Sequence, residues 1–563
     1  MKLTLKKQNK TIKPTGNRII GIVAIAGVAV AIVAGFQIAK MSGRDTNTGR
    51  HEFKDTNFGD FLALNHALYA DDYASVEKYS DKLKDVDIKS VRENRALALF
   101  VAGKIDDTAK VLSDSKNASA SVAYAAYLIK KGDWNALYLR YATNNSQILA
   151  GLRVWSAVAI GKSAEALKFI DSLPGNDSWR AFMRGQIYAE IGKPDLARQQ
   201  FAKVAPDFLN LNDYLFIMSF YTSNGFDADA NQLKAAWTES PGGLYAAGWT
   251  DFGDFKHYAG PGMNLWFSLV QSVAHSPILS HSNISFVLLR LAEAAGGDAV
   301  KDNDAMNYYF GSFFFNSGDF DRADEFFAQI GRGGLYRPFV LLKNAEKTGN
   351  FEKTMRELNA ANLENPLFMP AILELTNKNL QKGREKDALA VVNRAMAAPN
   401  LGNLGRAFLY TLRARIYRQS GDFNAALADI LSADTLSPQN ADVAMERARI
   451  LAESGQDLDT AYQIATIILK RTPSDIGAWD TLATIVWKKE GVNEALPIFE
   501  KIARVAESDS KLFEHLGDAR AATGDAKGAV EAYQRALSLS DDGQVSEPDI
   551  LKKNSSAEIK MNK

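Results

Sequence analysis

The amino-acid sequence predicts an all-α fold: an α-solenoid of stacked helical hairpins that follows one N-terminal transmembrane helix. Two patterns lead to this prediction. Small, aromatic and glycine residues recur about every 34 residues through the C-terminal half, and a run of apolar residues without a charge occupies positions 19–39. A third observation concerns function. The sequence carries no P-loop, H-E-x-x-H or G-x-S-x-G motif, which favours a binding protein over an enzyme.

The overall composition suits a folded chain without a strong charge. It has 563 residues, and its 66 basic and 66 acidic side chains cancel. Proteins that bind nucleic acid usually have an excess of basic over acidic residues, so we expect no nucleic-acid partner. The absence of cysteine excludes disulfides, thiolate metal sites and a cysteine nucleophile.

The N-terminal region reads as a membrane anchor. Residues 1–18 form a basic tail without an acid, residues 19–39 are long enough to cross the roughly 30 Å hydrocarbon core, and residues 40–56 form a linker. Six basic residues precede the apolar run and four follow it closely, which favours a cytoplasmic N-terminus. We therefore expect a single-pass protein of a bacterial inner membrane with a periplasmic body. The alternative is a cleaved signal peptide, because Ala29, Val30 and Ala31 form an A-x-A site.

Small residues recur four apart within this apolar run, at Gly27, Ala31 and Gly35. That spacing lets two transmembrane helices approach closely, so the chain could form a homo-oligomer through this stripe. The alternative is that glycine and alanine are simply common in such segments.

The repeat is clearest around Ala414. Tyr417 follows three positions on and Gly421 seven positions on, and steps of 34 or 35 residues then lead to Ala448, Ala483 and Gly517. We expect the small residues where the two helices of one unit cross, because only alanine or glycine lets the backbones approach. The glycine ends the first helix and turns the chain.

This pattern resembles the tetratricopeptide repeat family, with Trp479, Leu482, Ala483, Ala495 and Phe499 in the family's places. The resemblance is specific between about 407 and 543. It implies a superhelix of helical hairpins across residues 304–543, and more degenerate repeats of the same kind across 57–240. It also implies a groove, lined by the first helix of each hairpin, that binds other proteins.

Two stretches break the repeat. Residues 241–263 are rich in glycine and aromatic residues, and apolar segments at 264–274 and 284–296 complete an insertion that ends near 303. This loop either packs on the solenoid wall or acts as a docking loop, and it is the expected division between two solenoids. The tail, residues 544–563, is polar and contains Pro548, so we expect it to be disordered.

The expected chemistry is binding alone. None of the six histidines falls in a metal-binding pattern, and we expect no catalytic residue, no metal and no cofactor. The first helices of the C-terminal units place Arg415, Arg418, Arg449 and Trp487 toward the groove, which would suit an acidic or C-terminal peptide. The alternative is an ordinary charged helix surface. The lysine and asparagine set with which the family holds chaperone tails is not found in consecutive units.

The sequence thus predicts a membrane-anchored, non-enzymatic scaffold or chaperone-like adaptor for unidentified proteins of the cell envelope or of secretion and assembly. A reversed topology would give a cytoplasm-facing adaptor or an import-type receptor. A further alternative is an enzyme with a cryptic site in the 241–303 insertion.

Overall fold

The computed structural model describes residues 57–561 apart from short gaps at 70–72, 87–88, 102, 113–117, 144–148, 174–175, 246–259, 275–282, 301–302, 317, 399–400 and 507. The expected basic tail, transmembrane helix and linker, with Gly27, Ala31 and Gly35, lie outside the described residues. Within the described part of the chain, no helix combines the length and the apolar character of a membrane span.

The all-α prediction is confirmed: the described residues form 29 α-helices and a few short 3-10 turns. Successive helices pair as antiparallel hairpins that stack on one another, which is the expected solenoid arrangement. The helices divide into two compact units, built from residues 1–174 with 259–301 and from residues 175–258 with 302–563.

The first unit contains ten helices in its described residues. They are α1 (Asn57–Tyr69), α2 (Tyr73–Lys82), α3 (Lys89–Val101), α4 (Ile105–Leu112), α5 (Ala118–Lys130), α6 (Trp134–Tyr141), α7 (Ala150–Ala159), α8 (Ser163–Ser172), α13 (Pro261–Ala274) and α14 (Asn283–Gly296).

The second unit holds the remaining helices. They are α9 (Asp177–Glu190), α10 (Pro194–Phe201), α11 (Leu211–Ser223), α12 (Asp227–Thr238), α15 (Asp304–Asn316), α16 (Phe320–Phe327), α17 (Arg337–Lys347), α18 (Phe351–Glu364), α19 (Met369–Gln381), α20 (Glu385–Met396), α21 (Asn403–Gln419), α22 (Phe423–Leu436), α23 (Ala441–Ser454), α24 (Leu458–Arg471), α25 (Ile476–Glu490), α26 (Val492–Ala503), α27 (Ser510–Ala522), α28 (Ala526–Ser538) and α29 (Glu547–Met561).

The two helices of the insertion complete the first unit. Helix α13 packs against α7 and α14 against α5, although more than a hundred residues separate them in sequence. Trp155 Nε1 donates to Ser268 Oγ (2.9 Å), and Leu265 and Trp266 are buried beside them. The insertion therefore supplies core to the first unit, while the glycine- and aromatic-rich residues 246–259 lie outside the described residues.

The expected division between the solenoids at 241–263 is therefore not where the two units separate. Helices α9–α12 belong to the second unit, where Asn212 Nδ2 donates to the Tyr309 hydroxyl (3.0 Å) and Asn212 Oδ1 accepts from Tyr336. The carboxylate of Glu239 accepts the backbone N–H groups of Asn403 (2.8 Å) and Leu404 (2.9 Å) at the start of α21. These contacts join α11 and α12 directly to the repeats that follow the insertion.

The expected role of the small residues is confirmed by the packing of single hairpins. A Cβ added at Gly185, Gly311 or Gly517 would overlap the aromatic ring sixteen residues further on, which is Phe201, Phe327 or Tyr533 in turn. The second helix thus lays a ring directly on the backbone of the first. An alanine or glycine is required at this crossing because a larger side chain would hold the helices apart.

Several hairpin turns, including those of α21–α22 and α27–α28, use a glycine followed by an aspartate. Gly421 and Gly524 adopt φ values of 79° and 85°, a left-handed conformation that glycine reaches without strain. The next residue, Asp422 or Asp525, accepts a backbone N–H of the second helix and so caps it. The Gly-Asp pair therefore ends one helix and begins the next.

The prediction of a disordered tail is wrong. Residues 547–561 form α29, which packs against α28 with Ile550 and Ala557 buried, and Val545 is buried just before it. The polar composition conceals this sparse apolar stripe. Pro548 lies in the first turn of the helix, where a proline is tolerated because its missing N–H would have no partner there.

Candidate protein-binding groove in the C-terminal array

The groove is built on the first helices of the last five hairpins. Helices α21, α23, α25 and α27 contact one another in succession, more extensively than the second helices α22, α24, α26 and α28 do. The first helices therefore converge on the narrower side of the stack. We call the side formed by α19, α21, α23, α25 and α27 the inner face.

Three of the four residues expected in the groove are half-buried on these helices. Arg415 on α21 donates through Nη2 to the side chain of Asn377 on α19, and Arg449 on α23 lies 3.6 Å from Glu446. Trp487 on α25 packs edge-on against Phe499, with ring centroids 6.3 Å apart. Their helices are those of the inner face, and their side chains are engaged with neighbouring groups of the chain.

Arg418 is not a lining residue, which corrects the fourth expectation. Its side chain is 0% exposed, Nε donates to Glu446 Oε1 (2.7 Å), and Nη1 donates to Glu453 Oε1 (2.5 Å). Both glutamates belong to α23, the next first helix, which covers the guanidinium. A partner in the groove therefore cannot reach Arg418.

The electrostatics of this buried triad favour the charged forms. Burial by itself would raise the pKa of Glu453, but the positive charge of Arg418 outweighs it and lowers the pKa to about 2. Burial would likewise lower the pKa of Arg418, and the two carboxylates instead raise it. The triad is therefore a buried ion cluster in which each charge depends on its partners.

A second ion cluster lies on α27, the first helix of the final hairpin. Glu514 lies 2.9 Å from Lys511 on α27 and 2.8 Å from Lys553 on α29, and Lys553 also contacts Asp518 (2.7 Å). Burial alone would raise the pKa of Glu514, but the two lysines hold it well below its usual range. These contacts tie the C-terminal helix to the inner face.

His515 adds a link between neighbouring first helices. Its Nδ1 lies 3.0 Å from both carboxylate oxygens of Asp480 on α25. Burial by itself would lower the pKa of His515, but the charge of Asp480 and its hydrogen bond raise it.

Sequence reasoning identified Glu446 and Asp480 only as acidic residues that partly offset the arginines. It missed their buried pairing because Arg418 and His515 meet them from neighbouring hairpins, about 30 residues away. One signal was available. The position after each small residue carries Arg415, Arg449, Thr484 and Asp518 in successive units, so a polar register runs along the inner face.

The inner face also contacts the connection between the last two helices of the same chain. We call residues 540–547, which run from a 3-10 turn after α28 to the first residue of α29, the return segment. Lys378 Nζ on α19 contacts Asp541 Oδ1 (2.6 Å), and Lys382, just after α19, pairs with Glu547. The return segment follows the last hairpin, α27–α28. Helix α19 belongs to the hairpin four units earlier in the array, α19–α20.

Two amides complete these contacts. Gln381 Nε2 donates to Glu547 Oε1 (2.6 Å) and to Ser540 Oγ (3.2 Å). Gln419 Nε2, at the end of α21, donates to the backbone carbonyls of Gly543 (2.9 Å) and Gln544 (2.6 Å). The C-terminal ends of α19 and α21 thus bind both side chains and backbone of the return segment.

The described residues contain no group of three or more histidine, aspartate or glutamate side chains arranged to hold a metal ion.

One repeat of this chain matches a known family, and three solved structures are similar to the chain at low identity. Residues 409–440 match the family described as tetratricopeptide repeat, and no curated protein sequence matches the chain. The crystal structure of the APC/C hetero-tetramer Cut9–Hcn1 is similar over 88% of this chain and 95% of that chain, with 13% identity and a TM-score of 0.32. The crystal structure of yeast Tom70 is similar over 90% and 96%, with 13% identity and a TM-score of 0.26.

A tetratricopeptide repeat protein from Parabacteroides merdae is similar over 40% of this chain and all of that chain, with 15% identity and a TM-score of 0.26. Similarities this weak carry no conclusion about what this chain binds. The matched residues 409–440 cover most of the α21–α22 hairpin, whose glycine turn, capping aspartate and close helix crossing are described above. This match identifies the α21–α22 hairpin as a tetratricopeptide repeat.

Proposed function

We propose that the protein is a non-enzymatic scaffold that binds other proteins along its inner face. The observation that supports this is the continuous row of first helices, which carries the half-buried polar and aromatic side chains of Arg415, Arg449 and Trp487. Tryptophan and arginine are well suited to such a surface, since they offer a large contact area and a planar set of donors. Binding would rest on surface complementarity and involve no turnover.

Site-specific photocrosslinking in intact cells tests this proposal. A photoreactive amino acid replaces Arg449 or Trp487 on the inner face, and Tyr462 or Ile467 on the second helix α24 in the matched controls. Tyr462 and Ile467 are about half exposed, at 48% and 51%. We expect the inner-face positions to crosslink to a common protein partner and the α24 positions to give none. Crosslinks from α24 alone would contradict the proposal.

We also propose that residues 19–39 anchor the protein in a bacterial inner membrane, with the body in the periplasm. There it would organise proteins of the envelope or of secretion and assembly. The support is the uncharged length of this segment and the six basic residues before it against four after it.

A pair of C-terminal reporter fusions tests the topology. Alkaline phosphatase, which is active only outside the cytoplasm, should be active, and a fluorescent protein that folds only in the cytoplasm should be dark. The opposite result would give the cytoplasm-facing adaptor. The mass of the mature N-terminus distinguishes an anchor from a cleaved signal peptide.

A further inference from the structure

We propose that the return segment, residues 540–547, is an intramolecular ligand of the inner face, and that a partner binds there through an acidic segment that displaces it. This inference rests on the proposed scaffold function and adds the chemistry of the partner and a means of regulation. It locates the binding site at the C-terminal ends of α19 and α21, not along the whole row of first helices.

Donors on the inner face dominate the contact. They come from Lys378, Gln381 and Lys382, and Glu374 on the same helix is an acidic group that also lies within electrostatic reach of Asp541. The return segment contributes the carboxylates of Asp541 and Glu547. Lys378 and Lys382 are four positions apart and so lie on one side of the helix end, where each takes one carboxylate. A segment with two acidic residues at a similar spacing would satisfy the same donors.

The backbone is recognised as well as the carboxylates. Gln419 donates to two successive carbonyl groups, at Gly543 and Gln544, which belong to the backbone and not to a particular side chain. Gly543 has a φ of 66°, and a Cβ there would lie 2.6 Å from Asn377 Cα, so the backbone presses directly on α19. The site therefore fits a polypeptide and not an isolated anion.

The return segment is held in a way that allows exchange. The side chain of Asp541 is 82% exposed, so water and salt screen its pairing with Lys378. Helix α29, by contrast, is fixed independently through buried Ile550 and Ala557 and through the ion pairs of Lys553. Val545 is also buried, in the core of the last hairpins. Exchange therefore concerns the contacts that Asp541, Gly543, Gln544 and Glu547 make with α19 and α21, while Val545 and the rest of α29 stay in place.

The experiment uses the full chain and a fluorescent peptide with the sequence of residues 538–549. The double variant Asp541→Ala/Glu547→Ala removes the two carboxylates that contact Lys378 and Lys382 and leaves every donor on the inner face. The control variant Asp434→Ala/Asp459→Ala removes two carboxylates from the second helices α22 and α24, with the same change in net charge. Fluorescence anisotropy gives the peptide affinity, and circular dichroism verifies that each variant is folded.

We expect the Asp541→Ala/Glu547→Ala variant to bind the peptide at least tenfold more tightly than the unchanged protein and the control, since its site is open. Adding Lys378→Ala/Lys382→Ala to this double variant should abolish the gain in affinity. A peptide in which Asp541 and Glu547 are replaced by Asn and Gln should not bind. Gly543→Ala, which leaves all the charges intact, should also increase binding because it forces the segment away from Asn377.

Unchanged peptide affinity in both opened variants would overturn the proposal, and so would a gain that survives the loss of the two lysines. A fall in melting temperature without a gain in binding would show that the return segment is only a structural cap. If inner-face photocrosslinks persist while peptide affinity is unchanged, the scaffold function stands and the competing ligand is refuted. If both are absent, both proposals fail.

Discussion

The guanidinium of Arg418 is held between Glu446 and Glu453 on the next first helix and is removed from water. The buried ion cluster contributes little net free energy to folding, because the cost of desolvating three ions offsets much of their attraction. The cluster does make the contact between α21 and α23 specific, since any shift in register would leave buried charges unpaired.

Substitution of Arg418 tests this interpretation. We expect Arg418→Met to lower the free energy of unfolding by about 3–5 kcal/mol, because two buried carboxylates lose their partner. The matched control, Arg447→Met on the same helix as those carboxylates, breaks a half-exposed pair with Asp434 and should cost under about 1 kcal/mol. Urea denaturation followed by circular dichroism measures both values.

The pH dependence gives a second measure of the same change. The pKa of Glu453 falls to about 2 in the folded protein from 4.5, so its contribution is present above pH 4.5 and is lost as the pH falls toward 2. In Arg418→Met the unpaired carboxylates can take up protons without loss. The stability difference between the two proteins should therefore shrink as the pH falls from 7 to 3, and a constant difference would argue against the ion cluster as its cause.

At the scale of the hairpin, the recurring pair of a small residue and a bulky one sets the distance between two helices. Gly517 lies under the ring of Tyr533, whereas Ala414 occupies the same place in a hairpin with Ile430 sixteen positions on. In these two hairpins a glycine goes with an aromatic ring and an alanine with an aliphatic side chain, whereas Ala483 has Phe499 sixteen positions on. In the first two cases the two positions therefore compensate each other in volume.

A double-mutant cycle tests this compensation. Gly517→Ala would normally stabilise a helix by about 1 kcal/mol, but here we expect a net loss of about 1–3 kcal/mol because the added methyl group overlaps the Tyr533 ring. The double variant Gly517→Ala/Tyr533→Ile recreates the pairing of Ala414 and Ile430 and should recover part of the loss. Thermal unfolding measures the cycle, and a stabilised Gly517→Ala protein would refute the packing argument.

The hairpins were predictable because their signals are local. The small residues, the glycine turn and the ring sixteen positions away all act within one unit, so a single sequence displays them. Helix α29 was missed because its apolar stripe is only Ile550 and Ala557, with Val545 ahead of it, which is too sparse to stand out from a polar tail. The burial of Arg418 was missed because its partners belong to another hairpin.

At the scale of the molecule, the order of the helices in space differs from their order in the chain. Helices α13 and α14 pack against α7 and α5 in the first unit, while the intervening helices α9–α12 belong to the second unit. No local pattern in the sequence specifies this arrangement. It depends on which apolar faces meet across more than a hundred residues.

Leu265 tests the role of the insertion in the first unit. It is buried and lies over Gly151, so we expect Leu265→Ala to cost the first unit about 2–5 kcal/mol. The control Leu139→Ala, on α6 of the same unit, changes a leucine that is 68% exposed and should have little effect. Hydrogen exchange read by mass spectrometry should show faster exchange in α5 and α7 and unchanged exchange in α21–α28. Equal acceleration in both groups would show that the two units unfold as one.

The late position of α13 and α14 in the chain has a consequence for synthesis. When α8 leaves the ribosome, the helices that cover α5 and α7 have not yet been made. Translation of the intervening residues takes roughly 5 to 25 seconds at about 5–20 residues per second. During that interval the nascent chain carries an incomplete core with apolar side chains open to water, so we expect it to need a holding chaperone until residue 296 has emerged.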